Sequence, residues 1–124
     1  MRHLQNDECG FTSALKAIGG KWKPAILWEV TLAPRRFGEL RRRLPGISEK
    51  VLTQQLREME ADDLIARTVF PGAVPKVEYS VTAFGRTLND AVTAMSKWGK
   101  AYERHMAARQ SGRSAVGELP RLPA

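Results

Sequence analysis

The stretch that decides the fold is RRFGELRRRLPGISEKVLTQQLREMEADDL, Arg35 to Leu64. Phe37, Leu40 and Leu44 recur at helical spacing, with Arg35, Arg36, Arg41, Arg42 and Arg43 on the remaining positions. Pro45-Gly46 ends that helix, because proline disfavours helix at the residue before it and glycine permits a sharp turn. Ser48 is a good N-cap for a second helix, whose apolar stripe is Leu52, Leu56 and Met59. At 100° per residue the opposite face carries Lys50, Gln54 and Arg57, with Thr53 on its flank. Two short helices joined at a glycine turn, the second polar and basic outside, predict a helix-turn-helix.

After Asp62-Asp63 the period changes. LIARTVF (Leu64 to Phe70) and KVEYSVT (Lys76 to Thr82) are rich in β-branched and aromatic residues, and PGAVP between them suits a hairpin tip. A helix-turn-helix followed by a hairpin gives the winged-helix arrangement. The expected fold is therefore α+β and mostly helical, with a β-hairpin wing. From Ala83 to about Arg109 a long amphipathic helix is predicted, with Leu88, Val92, Met95, Trp98 and Tyr102 close to one face. That face exceeds what a small domain must cover, so these five are expected at a dimer interface. Residues 110–124, mixing Ser, Gly, Pro and charge, read as a disordered tail to a domain spanning 1–109.

Upstream, AIGGKWKPAILWEV (Ala17 to Val30) has the look of a phosphate loop. That loop needs G-x-x-x-x-G-K followed by Ser or Thr; here Leu15 replaces the first glycine and Trp22 the hydroxyl. Gly19-Gly20 are read instead as a break between two helices, the first capped at Thr12 or Ser13 and the second beginning near Lys21. The second is nearly continuous in apolar residues, and Trp22 and Trp28 are assigned to packing.

The chain has 124 residues, enough for one domain with a core, and no apolar run long enough to cross a bilayer. Without a secretory-type N-terminus, the cytoplasm is the expected location. A net charge of +7 favours an anionic partner, nucleic acid or a membrane surface; the helix-turn-helix pattern points to double-stranded DNA and not a membrane. A single cysteine, Cys9, excludes an intrachain disulfide framework, and His3 and His105 lack ligand spacing, so no metal or cofactor is assigned.

With these residues in view, the chain resembles the HxlR family of bacterial winged-helix, MarR-like transcription regulators. The matching pieces are IGGKWKPAIL, RFGELRRRLPGISEKVLTQQLREME, LIART, VPKVEYSVTAFGRTL and the Trp98-Gly99 pair, in family order and spacing. The resemblance implies a homodimer on operator DNA, held together by the N-terminal segment and last helix. It also implies a small-molecule or oxidant effector sensed at an N-terminal cysteine, which Cys9 matches. Many members have Cys-Pro there, whereas this chain has Cys9-Gly10.

Base readout is expected from Ser48, Lys50, Thr53, Gln54 and Arg57 in the major groove, since Gln suits adenine and Lys or Arg suits guanine. Arg35, Arg36, Arg41, Arg42 and Arg43 are assigned to backbone phosphates, with Arg67 and Lys76 of the wing reaching phosphates or the minor groove. Two other functional classes compete with this reading. An RNA- or nucleoid-associated protein would use the same basic faces, but the second helix offers no exposed aromatics for base stacking. An enzyme would need a nucleophile with a positioned base, which Cys9, His3 and His105 do not form in sequence.

Overall fold

A computed structural model describes residues 10–112. Cys9 and His3 lie outside the described residues, as does most of the expected tail. The elements are α1 (Gly10–Ile18), α2 (Trp22–Leu32), α3 (Phe37–Arg43), α4 (Glu49–Ala61), β1 (Ile65–Phe70), β2 (Lys76–Val81) and α5 (Ala83–Gln110). The contacts divide the chain into two compact units, 1–89 and 90–124, with the boundary inside α5.

Helix α1 starts at Gly10, before the expected cap, and ends where Gly19 and Gly20 take φ of +35° and +69°. Left-handed angles are cheap for glycine, which is the plain reason for the pair. Helix α2 stops before Pro34, where Ala33 is extended. It contributes Ile26, Leu27 and Val30 to the core, but Trp28 is 53% exposed, which corrects its assignment to packing. Trp28 and Leu32 lie one turn apart on a face of α2 that the first unit does not cover.

Helices α3 and α4 follow the pattern read from their residues. Gly46 turns the chain at φ +92°, and Ile47 plugs the core beside Leu40 and Leu44. The Ser48 hydroxyl accepts from Val51 N–H at 3.1 Å, capping α4, and Leu52, Leu56 and Met59 are buried. Asp63 leaves the helix at φ +61°, and β1 then pairs antiparallel with β2, Ile65 opposite Val81 and Phe70 opposite Lys76.

One feature of the sheet had no counterpart in the sequence reading. Arg35, in the link between α2 and α3, forms an isolated antiparallel bridge with Tyr79. Arg35 N–H donates to Tyr79 O at 2.8 Å, and Tyr79 N–H donates back to Arg35 O at 2.7 Å. The wing is thereby tied to the start of the helix-turn-helix.

The Arg35 side chain makes the same junction tighter. Its Nε–H donates to the Glu29 carbonyl at 3.0 Å, and its other nitrogens reach the Glu39 carboxylate at 3.0 Å and that of Glu29 at 3.4 Å. The Arg43 guanidinium closes on the same Glu29 carboxylate. With its side chain only 11% exposed, Arg35 is an internal strut. It is withdrawn from the phosphate-binding set for that reason.

The start of α5 is held as firmly. The Thr82 hydroxyl donates to Asp63 O at 2.6 Å and accepts from Gly85 N–H at 2.8 Å. A Cβ at Gly85 would stand 2.0 Å from the Leu64 carbonyl oxygen, so only glycine allows this approach. Asn89 donates to the Thr31 hydroxyl at 2.8 Å, and Leu88 packs against the core. Leu88 is half-buried there, with part of its side chain already spent on its own domain.

Arg35→Ala removes the strut and leaves Glu29 with one partner. It is expected to lower the unfolding free energy by about 2–4 kcal/mol, the cost of breaking a largely buried ion pair reduced for residual solvent access. Urea unfolding measures this; a loss under about 0.5 kcal/mol, the size typical of a surface substitution, contradicts the assignment.

Candidate nucleic-acid interface

The outer face of α4 is set by its buried stripe. With Leu52, Leu56 and Met59 turned inward, Lys50, Gln54 and Arg57 are exposed and Thr53 is half-buried. Ser48 is exposed at the helix start, and its oxygen is engaged in the cap. An open groove runs along this face, bounded by Glu49, Lys50, Thr53, Gln54, Arg57 and Glu58. A second depression, toward the wing, brings Thr53, Arg57 and Glu60 together with Arg67 of β1 and Tyr79 of β2. The structure thus gathers residues from two separated segments beside one helix.

Two of the carboxylates on α4 have cationic partners. Glu49 lies 3.6 Å from Arg41, an exposed pair worth little in water. Glu58 lies 2.7 Å from Lys23, a lysine of α2 that is only 8% exposed. Lys50 and Arg57 have no ion-pair partner among the described residues. The outer face between Glu49 and Glu58 therefore offers two cations, Lys50 and Arg57, whose acidic neighbours are engaged elsewhere.

The arginines of the preceding helix sort into distinct environments. Arg43 is tied to Glu29 while remaining half-exposed, and Arg41 leans toward Glu49. Arg36 and Arg42 are exposed, without an ion pair among the described residues. The Arg36 backbone N–H donates to Glu39 at 3.4 Å, half of a capping box for α3. In the wing, Arg67 is exposed opposite Tyr79, and Lys76 is held 3.4 Å from Glu78 with its ammonium 4.9 Å from the Phe70 ring centroid.

Glu29, Glu39, Glu58, Lys23 and Tyr79 shape this surface and were not singled out from sequence. A signal was present for two of them: Glu29 and Lys23 are isolated charges in the apolar run WKPAILWEV. Charges in such runs need partners once buried.

In the second unit, α5 exposes Met95, Trp98 and Tyr102 at helical spacing, and Val92 is half-buried. Trp98 and Tyr102 stack with centroids 5.4 Å apart. In the first unit, α1 exposes Phe11 and Leu15, four residues apart.

The chain matches the HxlR-like helix-turn-helix pattern over residues 17–107. It belongs to that family. An HTH-type transcriptional regulator of Bacillus subtilis, YdeP, is 41% identical over 111 residues, covering 90% of this chain and 87% of the relative. Among solved structures, the redox regulator HypR in its reduced form is 42% identical with a TM-score of 0.72, covering 78% of this chain and 96% of that one. Diamide-treated YodB from B. subtilis is 31% identical with a TM-score of 0.66, covering 72% and 88%. The chain is a transcriptional regulator of the helix-turn-helix type and not an enzyme. Among the described residues no helix is long and apolar enough to cross a membrane.

The ion pairs make stability depend on pH. Hydrogen bonds from the Arg35 side chain and the Arg36 backbone hold the Glu39 carboxyl below its usual range. Glu58 is lowered chiefly by Lys23. A depressed folded-state value contributes stability that is present above the ordinary glutamate value and is lost as pH falls through the depressed one. Replacing both residues, Glu39→Gln with Glu58→Gln, should flatten the fall in urea midpoint between neutral and acid pH. An unchanged slope would show that neither pairing operates in solution.

Proposed function

We propose that this regulator acts as a homodimer on a pseudo-palindromic operator, with α4 of each subunit in a major groove. The observation that carries this reading is the outer face of α4. It presents Lys50, Gln54 and Arg57, while Arg41 and Lys23 offset the carboxylates on either side. Lys50 and Arg57 suit guanine, Gln54 suits adenine, and the Thr53 methyl suits thymine. Ser48, at the helix start, completes the reading set in this proposal, its hydroxyl hydrogen serving as donor while its oxygen caps the helix.

Arg36 and Arg42 serve as backbone anchors, supplemented by Arg41 and Arg43 when phosphate replaces their carboxylate partners. Arg67 and Lys76 extend the anchor along the wing. The tip from Pro71 to Pro75 carries no charge, so the wing contributes shape and phosphate contact more than base recognition.

Residues 1–109 form the regulatory unit in this reading, and the tail from 110 lies outside it. The dimer is supported by exposed apolar residues: Phe11 and Leu15 on α1, and Met95, Trp98 and Tyr102 with Val92 on α5. Two subunits would set their recognition helices about 34–36 Å apart, one turn of the duplex. The effector is an oxidant or electrophile received at Cys9, as the likeness to HypR and YodB supports. Cys9 directly precedes α1 in sequence, and a helix N-terminus favours thiolate, while Asp7 and Glu8 oppose it. Such a protein works in the cytoplasm, where its DNA is.

On a selected operator, Arg57→Ala should relax preference at one base pair by about 1–3 kcal/mol. Arg42→Ala should weaken all duplexes alike and reduce the salt slope by about one. Uniform losses from both variants would contradict the division between reading and anchoring, and structured RNA outcompeting duplex DNA would overturn the function. Trp98→Asp is expected to move the sedimentation coefficient toward that of a monomer; an unchanged value removes α5 from the interface.

A further inference from the structure

We propose that Lys23 is a positioning residue for base recognition: from within α2 it holds Glu58, and Glu58 in turn fixes the side-chain amide of Gln54. This inference rests on the reading that the outer face of α4 meets DNA.

A buried lysine is costly unless its ammonium is paired, and a methionine or leucine would fill the same space without that cost. Here the Lys23 side chain is 9% exposed, and its Nζ lies 2.7 Å from Glu58 Oε1. The turn between α1 and α2 covers it: a Cβ on Gly19 would sit 3.5 Å from both Cδ and Nζ of Lys23. Gly19, the first glycine of the stretch that resembles a phosphate loop, therefore lies over a buried cation.

The second oxygen of Glu58 continues the chain. Gln54 Nε2 donates to Glu58 Oε2 at 3.3 Å, one turn back along α4. A glutamine amide alone on a helix surface is free to present its oxygen or its nitrogen to a base. An ionised carboxylate accepts only, so Glu58 selects the orientation in which the Gln54 nitrogen faces it. The amide then turns its carbonyl oxygen outward, with one N–H still available beside it. That acceptor–donor pair is the pattern that meets N6–H and N7 of adenine.

Lys23 fixes the carboxylate in this arrangement. Its ammonium, 2.7 Å from Oε1, draws Glu58 toward α2, and this hydrogen bond is the largest cause of the lowered Glu58 value. Released from Lys23, the same carboxylate would be a mobile anion on a helix facing a polyanion, and Gln54 would lose its fixed partner.

The test selects binding sites from a randomised duplex library with the full chain. It compares the parent with Gln54→Ala, Lys23→Met and Lys23→Arg, after thermal unfolding has checked that each is folded. The double variant Lys23→Met with Glu58→Met leaves no unpaired charge and serves where Lys23→Met alone does not fold. We expect Gln54→Ala to identify the base pair read by Gln54. Lys23→Met, or the double variant, should reduce preference at that base pair at least about fivefold, the lower end for a lost bidentate contact. Other positions should be unaltered, and Lys23→Arg should retain the preference. Full preference in Lys23→Met, or an equal loss at every position, overturns the relay. A parent protein that selects no sequence overturns the DNA reading itself and the relay with it.

Discussion

The rest of the first unit depends on one guanidinium in the link between two helices. Arg35 spends its side-chain donors on Glu29 of α2 and Glu39 of α3, and its backbone on Tyr79 of the wing. Arginine is suited to this because its donors sit in a rigid planar fork and its charge is never lost. A lysine would keep the backbone bridge to the wing but could not hold Glu29 and Glu39 together in the same fork geometry. This junction fixes α3 against α2 and the wing against both, while the buried stripe of Leu52, Leu56 and Met59 determines which face of α4 is left to solvent. The candidate interface draws on both, because Arg67 of the wing comes to lie beside Thr53 and Arg57 of α4.

The same economy governs charge. The chain is strongly basic, yet much of its arginine near the helix-turn-helix is engaged internally: Arg35 and Arg43 at Glu29, and Arg41 weakly at Glu49. What remains outward is Arg36 and Arg42 before the turn, Lys50 and Arg57 on α4, and Arg67 on the wing. Formal charge therefore overstates the number of phosphate anchors. The acidic residues of α4 are not merely tolerated beside a polyanion; Glu58, paired through Lys23, becomes part of the apparatus that orients Gln54.

Local signals carried most of the fold. The spacing of Leu52, Leu56 and Met59, the Ser48 cap and the Pro45-Gly46 turn are properties of short segments, and each reappears in the structure. The hairpin and the extent of α5 were legible for the same reason. The misassignments of Arg35 and Trp28, and the half-burial of Leu88, share a different cause: each depends on what a distant segment does. An arginine in a basic cluster reads as surface until Glu29 and Glu39 are brought to it. Leu88 continues the stripe of α5 in sequence, but the Thr82 cap and the close approach at Gly85 press that first turn onto the core. Trp28 stands in an apolar run whose exposed side no periodicity marks. The strand-like bridge between Arg35 and Tyr79 is too short to leave any pattern.

The central claim is that this scaffold delivers the outer face of α4 into the major groove. Methylation interference on a selected operator tests it most directly, because methylating guanine N7 blocks that groove and leaves the phosphates intact. With α4 in the major groove, interference falls at two clusters of guanines, one per half-site and about one helical turn apart. Binding that is weakened by salt but indifferent to methylation throughout the site would contradict it.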